Sequence, residues 1–250
     1  MKRIICLVII ACWINHAYCQ TKVEKTVPVK SGQKVSFIFT WPELIKVETW
    51  DKNEVGIEAD VTINNGQNDD SYRLNITSNG NAILIESEIQ NHDQLPRKIM
   101  IKKDGETYFF DTDDMHSPAI KQFKDEHGDI GYDYTMHGVL KEIYVTIKVP
   151  QSISLDIEAK FGMVEVRGFN GEMNIHSKFG GIDVAVGNSD NTLRAGTKFG
   201  EKYTNLEGDF ETIAVGAGPG KWDWVSYPAG GGGKMQELKS EFGNIYMRKL

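Results

Sequence analysis

The sequence predicts an all-β protein: a single-stranded, right-handed parallel β-solenoid of about 20 residues per coil, carrying a small α/β insertion. Three observations predict it. Lys160-Phe161-Gly162 recurs as Lys178-Phe179-Gly180, Lys198-Phe199-Gly200 and Glu241-Phe242-Gly243, with Gly218-Pro219-Gly220 in register as a degenerate copy. Apolar residues alternate with polar ones around these centres, which is the two-residue period of a strand with one buried face. Helical three-four spacing is absent there, and 17 of the 25 glycines lie at or after residue 160.

Taken in order, residues 1–19 read as a signal peptide. Lys2 and Arg3 precede an apolar run from Ile4 to Ile14, and Ala17-Tyr18-Cys19 supplies a cleavage site before Gln20. The run is shorter than the roughly 20 residues that span a bilayer. Lipidation is the rival reading. Ile9-Ile10-Ala11-Cys12 has the residue types for it but a short apolar lead, and Tyr18 is bulky for processing at Cys19. All three cysteines lie in this segment, so disulfides and thiolate chemistry are excluded from residues 20–250. The remaining chain carries 26 basic and 35 acidic residues, a net charge of −9. That balance argues against nucleic acid and anionic membranes as partners.

Residues 20–89 read as N-terminal strands leading into the solenoid. Val35–Thr40, Ile45–Thr49, Val55–Ile63, Tyr72–Thr77 and Ala82–Ile89 are the strands, with Asn64-Asn65-Gly66 and Asn79-Gly80-Asn81 as turns. Residues 90–140 read as an insertion, charged and outside the repeat. Ile99–Lys103 and Glu106–Phe110 form a hairpin around Asp104-Gly105. A short helix is punctuated by Ser117 as N-cap, Pro118 at its first position and Gly128 as its stop.

Residues 141–250 are the repetitive solenoid. The repeat centres fall at 161, 179, 199, 219 and 242, with Gly230–Gly233 looping out the longest step. Four residues before them stand Ile157, Ile175, Ala195, Val215 and Leu238; Val164 and Val166, Ile182 and Val184, and Ile245 and Met247 follow three of them. One repeat is too small to bury its own apolar face, so coils stack in chain order. Each phenylalanine should then stack on the next at about 4.8 Å inside the core, and the glycine after it should make a corner that a Cβ would obstruct. Arg248 and Lys249 would guard a final edge strand.

The stretch from Ile143 to Ile175, with Val149-Pro150, Gly162, Gly168 and Gly171, resembles a bacterial family called putative adhesins, as does Val47–Val55. The resemblance covers most of residues 20–250 outside the insertion. It implies a cell-envelope domain similar to single-stranded β-helices and names no catalytic or ligand residue. The Lys-Phe-Gly corner departs from the family, which more often has a polar residue before the glycine.

Candidate chemistry is sparse. Asp111, Asp113, Asp114, His116, His127, Asp129, Asp133 and His137 crowd the insertion, but their spacing fits neither a calcium loop nor a helical zinc pair, and they read as a solvated acidic face. Gly180-Gly181-Ile182-Asp183 is one isolated glycine-aspartate step, not a calcium-binding repeat. Trp222, Trp224 and Tyr227 are the candidate binding-surface residues: exposed, they could stack on sugars or anchor a protein partner, and buried, they would fill the core beside Pro219. Lys160, Lys178 and Lys198 form a like-charge column, either a site for an anionic polymer or solvated corners whose stems cover apolar surface.

No nucleophile with a matched base is visible, and the outward positions Glu165, Asp183 and Asn244 make no repeated acidic column of the kind a glycosidase would need. No catalytic residue, cofactor or metal is therefore expected. The expected protein is non-enzymatic, exported to the periplasm or cell surface of a Gram-negative bacterium, and presents its solenoid for binding as an adhesin or scaffold. Its partner is open, a polysaccharide or an envelope protein being the two classes considered. A periplasmic structural or sensing module is one alternative. A carbohydrate-active enzyme with the insertion as its lid is the other.

Overall fold

A computed structural model of the chain describes residues 20–187, 191–213, 220–228 and 233–250. Residues 1–19, expected to be a signal peptide, the Gly218-Pro219 copy of the repeat and the glycine run at 230–232 lie outside them. The first part of the chain forms β1 (Thr21–Pro28), β2 (Lys34–Phe39), β3 (Leu44–Trp50), β4 (Glu54–Ile63), β5 (Tyr72–Asn79) and β6 (Ala82–Ile89). Next come β7 (Lys98–Lys103), β8 (Glu106–Phe110), helix α1 (Pro118–His127) and β9 (Tyr134–Gly138). The rest forms β10 (Lys141–Pro150), β11 (Ser154–Ala159), β12 (Met163–Arg167), β13 (Met173–Ser177), β14 (Ile182–Val186), β15 (Thr192–Thr197), β16 (Lys202–Thr204), β17 (Glu211–Ile213), β18 (Asp223–Pro228), β19 (Met235–Ser240) and β20 (Ile245–Lys249).

These strands make three sheets, not a single-stranded parallel solenoid. The first sheet runs β1-β4-β10-β3-β12-β14-β20-β16, the second β17-β18-β15-β19-β13-β11-β2-β6-β5, and the small third β8-β7-β9. Both large sheets are mixed. Pairings between neighbours from β3 to β16 in the first sheet and from β15 to β6 in the second are parallel. The flanks are antiparallel: β1 with β4, β4 with β10, β5 with β6, and β18 with both β15 and β17. Neither large sheet closes on itself.

The parallel centre also departs from chain order. After β14 the chain skips a place and lays down β15 and β16, turns back through β17 and β18, and returns with β19 and β20 in the vacant place. Leu238 therefore sits between Ile175 and Ala195 in register. Side-chain chemistry accounts for the exchange. Lys202 and Thr204 occupy the positions that Ile245 and Met247 hold on the neighbouring strand. At the rim Thr204 stays exposed and Lys202, its side chain 11% exposed, pairs with Asp223, polar arrangements that an inner strand would make costly, whereas Ile245 and Met247 are 0% and 2% exposed. β16 accordingly forms the edge and β20 lies inside. β20 is therefore not the edge strand expected, although Arg248 and Lys249 lie past the part of it that β16 pairs.

The inward residues of both large sheets form one core, from Val35, Phe37 and Phe39 through Ile45 and Val47 to Val164, Val166, Ile175, Ile182 and Leu238. Each such side chain contributes about 1.5–3 kcal/mol by leaving water. The corner after β13 shows why glycine recurs. A Cβ on Gly180 would lie 1.5 Å from the carbonyl oxygen of Gly162. Ser177 Oγ donates to the Gly180 carbonyl oxygen at 2.8 Å, and Ser240 Oγ reaches the same oxygen at 3.1 Å, tying neighbouring corners together.

The third sheet and α1 have a separate small core of Ile99, Ile101, Ile120 and Phe123. Ser117 Oγ accepts from the backbone N–H of Ile120, Pro118 opens the helix and Gly128 follows its end at φ 84°. Lys98, 3% exposed, pairs within the third-sheet unit with Asp111 Oδ1 at 2.5 Å and ties that unit to the main body through Gln67 Oε1 at 2.7 Å.

Candidate functional site

The phenylalanines of the repeat form a continuous stack, but outside the core. Phe161 meets Phe179 at 5.3 Å between ring centroids, Phe179 meets Phe242 at 5.2 Å, and Phe242 meets Phe199 at 5.0 Å, all within 17° of parallel. Trp41 extends the column from Phe161 at 5.7 Å and is itself covered by His92 at 4.5 Å. Phe179, Phe242 and Phe199 are 46%, 48% and 58% exposed. Core burial was the wrong expectation because the Lys-Phe-Gly segment is the turn between the two sheets, where the side chain points away from both inner faces. Stacking covers the ring faces and leaves the edges in solvent, so the column presents the positive rims of the rings.

The residues before the rings line up beside them, since the corners continue the strand registers. The backbone N–H of Phe179 donates to the Lys160 carbonyl, that of Phe242 to Lys178 and that of Phe199 to Glu241. Lys198 pairs with Glu241 at 3.3 Å and lies 5.0 Å over the ring of Trp222. Lys160 and Lys178, by contrast, are exposed neighbours whose ammonium groups each rest 5.3 Å from the following phenyl ring. Neither has a carboxylate partner among the described residues.

The sequence-predicted aromatic cluster divides. Trp222 and Trp224 meet at 5.7 Å. Trp224 is 6% exposed and lies flat on Gly196, where a Cβ would come within 2.6 Å of the indole, and the Arg194 guanidinium covers it at 4.8 Å. It therefore packs instead of displaying a free face. Tyr227 points to the opposite side of β18, against Phe210 at 4.8 Å, and donates to the Glu207 carbonyl at 2.6 Å. Only Trp222, half-buried between Lys198 and His176, adjoins the corner column.

The carboxylates considered for catalysis are engaged elsewhere. Asp183 aligns with Glu165 and Tyr246, not with Asn244. Arg167 and Arg248 both donate to it, at 2.9 and 3.0 Å. Burial works to raise its pKa, but the two guanidinium groups outweigh burial and hold the carboxyl below the usual carboxylate range. In the insertion, Asp111, Asp113 and Asp129 pair with Lys98, Arg97 and Lys124 respectively. His127 stacks on Phe123 at 4.7 Å. Among the described residues no three His, Cys, Asp or Glu side chains converge as metal ligands, and no helix is long and apolar enough to cross a membrane.

Trp41 was not legible as a column member, since it follows no Lys-Phe-Gly pattern. Its one signal is an aromatic at the end of a strand, directly before Pro42.

A solved structure titled as a putative cell adhesion protein from Clostridium sporogenes is similar at 11% sequence identity and a TM-score of 0.48, covering 92% of this chain and 100% of that one. No protein-family model matches the chain, and no curated protein matches it.

Proposed function

We propose that this chain is a non-enzymatic, exported protein of the Gram-negative cell envelope that binds an acidic polysaccharide along its aromatic corner. The observation that carries the reading is the adjacency of Lys160 and Lys178 on neighbouring corners without a carboxylate between them. Like charges side by side on adjacent strands destabilise a sheet, and the next pair along the column, Glu241 and Lys198, is matched. An anionic group lying across Lys160 and Lys178 would relieve the repulsion, and the ring edges beside them are polarised the same way. Four strand spacings of about 4.8 Å make the column roughly 20 Å long, which suits a linear polymer. The net charge of −9 on residues 20–250 disfavours DNA, with its charge every ~1.7 Å. A polysaccharide with one carboxylate per repeat is more weakly repelled, because the remaining surface charge is screened beyond about 8 Å at physiological salt.

The test is affinity electrophoresis of residues 20–250 through gels containing polygalacturonate, alginate or neutral dextran. Retardation by an acidic polymer, absent with dextran and lost in the Lys160→Glu/Lys178→Glu variant, is the expected result. No retardation by either acidic polymer, or equal retardation of the variant, overturns the ligand. Release of reducing or unsaturated ends from the polymer overturns the non-enzymatic part.

A further inference from the structure

The third sheet carries large apolar side chains on both faces, although Lys98 and Lys102 flank Met100 on the face turned away from α1. Ile99, Ile101, Tyr108 and Phe110 pack with α1. The opposite face carries Met100 and Met136, paired in register, Phe109, which pairs with Met100, and Tyr134. A sheet with one covered face normally turns polar residues outward on the other. Here Phe109 and Tyr134 stay 44% and 49% exposed. They overhang a cleft of about 260 Å³ whose other wall is the outer face of the first sheet, with Glu43, Thr62, Asn65, Lys141 and Glu142. A second hollow of about 380 Å³ continues it past Phe109 and Glu142.

The polar wall holds two carboxylates and one lysine, and the lysine pairs with neither carboxylate. Tyr144 Oη donates toward Glu142 Oε1 at 3.1 Å and lies 3.4 Å from Glu43 Oε2, so one hydroxyl proton serves two carboxylates. Neither carboxylate has a lysine, arginine or histidine partner among the described residues. Lys141 lies next to Glu142 in the chain, yet its ammonium turns away to the Val139 carbonyl at 2.7 Å and over Trp41 at 4.4 Å. Crowding acts in the same direction. Although Glu43 is open to solvent on one side, partial burial and the nearby Glu142 push its pKa up, and burial with the two carboxylates pushes Tyr144 to about 12.

We infer that this cleft is a binding site for a small organic cation, an ammonium group on an apolar body. The ammonium would supply the positive charge that Glu43 and Glu142 lack. The apolar body would cover Met100, Met136 and the faces of Phe109 and Tyr134, whose π-systems also attract a cation. Each half answers a different observation: the carboxylates explain the charge and the exposed aromatic face explains the hydrocarbon. The site is separate from the aromatic corner and does not rest on the polysaccharide reading.

The probe is phenethylammonium, titrated into residues 20–250 carrying ¹³C-methyl methionine and read by NMR. Saturable shifts of the Met100 and Met136 methyl signals are expected. 2-Phenylethanol, of like shape without the charge, and ethylammonium, with the charge but little apolar body, should each bind at least about tenfold more weakly, given 1.5–3 kcal/mol for a charged hydrogen bond and about 1.4 kcal/mol per tenfold. Glu43→Gln/Glu142→Gln should cause a similar loss while the Met173 and Met247 signals, on the second sheet and on β20, stay in place, which shows that the variant is folded. Absence of a saturable shift, equal binding of 2-phenylethanol, or an unchanged affinity in the folded variant would each overturn the site.

Discussion

Phe179 stacks on Phe242, 5.2 Å away, although the Phe199 copy of the repeat lies between them in the chain. That contact follows from β19 and β20 entering the sheets between strands laid down earlier, and it places the column's energetics at the surface.

Pairwise coupling in the column should accordingly be modest. Phe179→Ala and Phe242→Ala, each half-exposed, should show a double-mutant coupling of about 0.5–1.5 kcal/mol in urea unfolding, the range for stacked aromatic pairs. A Phe179→Asp variant should remain folded at 25 °C. Loss of the folded state in that variant would place the ring in the core after all.

The corner glycines should be far less tolerant than the rings. Gly180→Ala sets a Cβ against the Gly162 carbonyl, whereas Gly187→Ala meets only the tip of Leu250, 3.9 Å away. We expect Gly180→Ala to cost about 4 kcal/mol or more, as overpacking against backbone does, and Gly187→Ala less than about 0.5 kcal/mol. Similar midpoints for the two variants would remove the steric account of the repeat.

Asp183 and Glu43 should have opposite pH signatures. The Asp183 pKa is depressed in the folded state, so its contribution is complete above the unfolded value of about 3.9 and disappears as pH falls through the folded value. Asp183→Asn should cost about 1–2 kcal/mol at pH 7, a figure reduced because both arginines are partly solvated, and progressively less as pH falls below about 3.9. The Glu43 pKa is raised, so its contribution is present below the unfolded value of about 4.3 and is lost as pH rises through the folded value. Glu43→Gln should therefore be stabilising at pH 7, with the gain shrinking toward pH 4. Parallel pH profiles of the two variants in thermal unfolding would contradict these assignments.

Export can be checked on cells. With the full chain expressed in a Gram-negative host, residues 20–250 should be recovered outside the cytoplasm, and a protease added to intact cells distinguishes surface display from the periplasm. Retention of the unprocessed chain in the cytoplasm would refute the signal-peptide reading of residues 1–19.

Much of the fold was legible because its signals are local. Alternation in β2, β4 and β6 gave their positions within a few residues, and Ser117, Pro118 and Gly128 bounded α1. β1 escaped notice because Lys22, Glu24, Lys25 and Thr26 leave it without a clear apolar face, as befits an edge strand. Strand order was misread because regular spacing of Lys-Phe-Gly implied stacking in chain order. The contrary signal was present in Lys202 and Thr204, polar where the other repeats carry Ile, Val or Met. The site was less legible still. Trp222 and Trp224 do meet at 5.7 Å, but nothing local distinguishes a tryptophan that packs on Gly196 from one that displays a face. Glu43, Phe109, Tyr134 and Glu142 are brought to one cleft only by the placement of the third sheet against the first.

The strand order itself is the claim on which the column, the corner and the edge assignments depend. Residues 20–250 contain no cysteine, so engineered pairs report it cleanly. Asn174 aligns with Glu237, which aligns in turn with Arg194. Neighbouring strands lie about 4.8 Å apart, within disulfide reach, and second neighbours do not. On mild oxidation, Asn174→Cys/Glu237→Cys should cross-link and Asn174→Cys/Arg194→Cys should stay reduced. Efficient cross-linking of the second pair and not the first would mean that the coils stack in chain order and that β19 is not interposed.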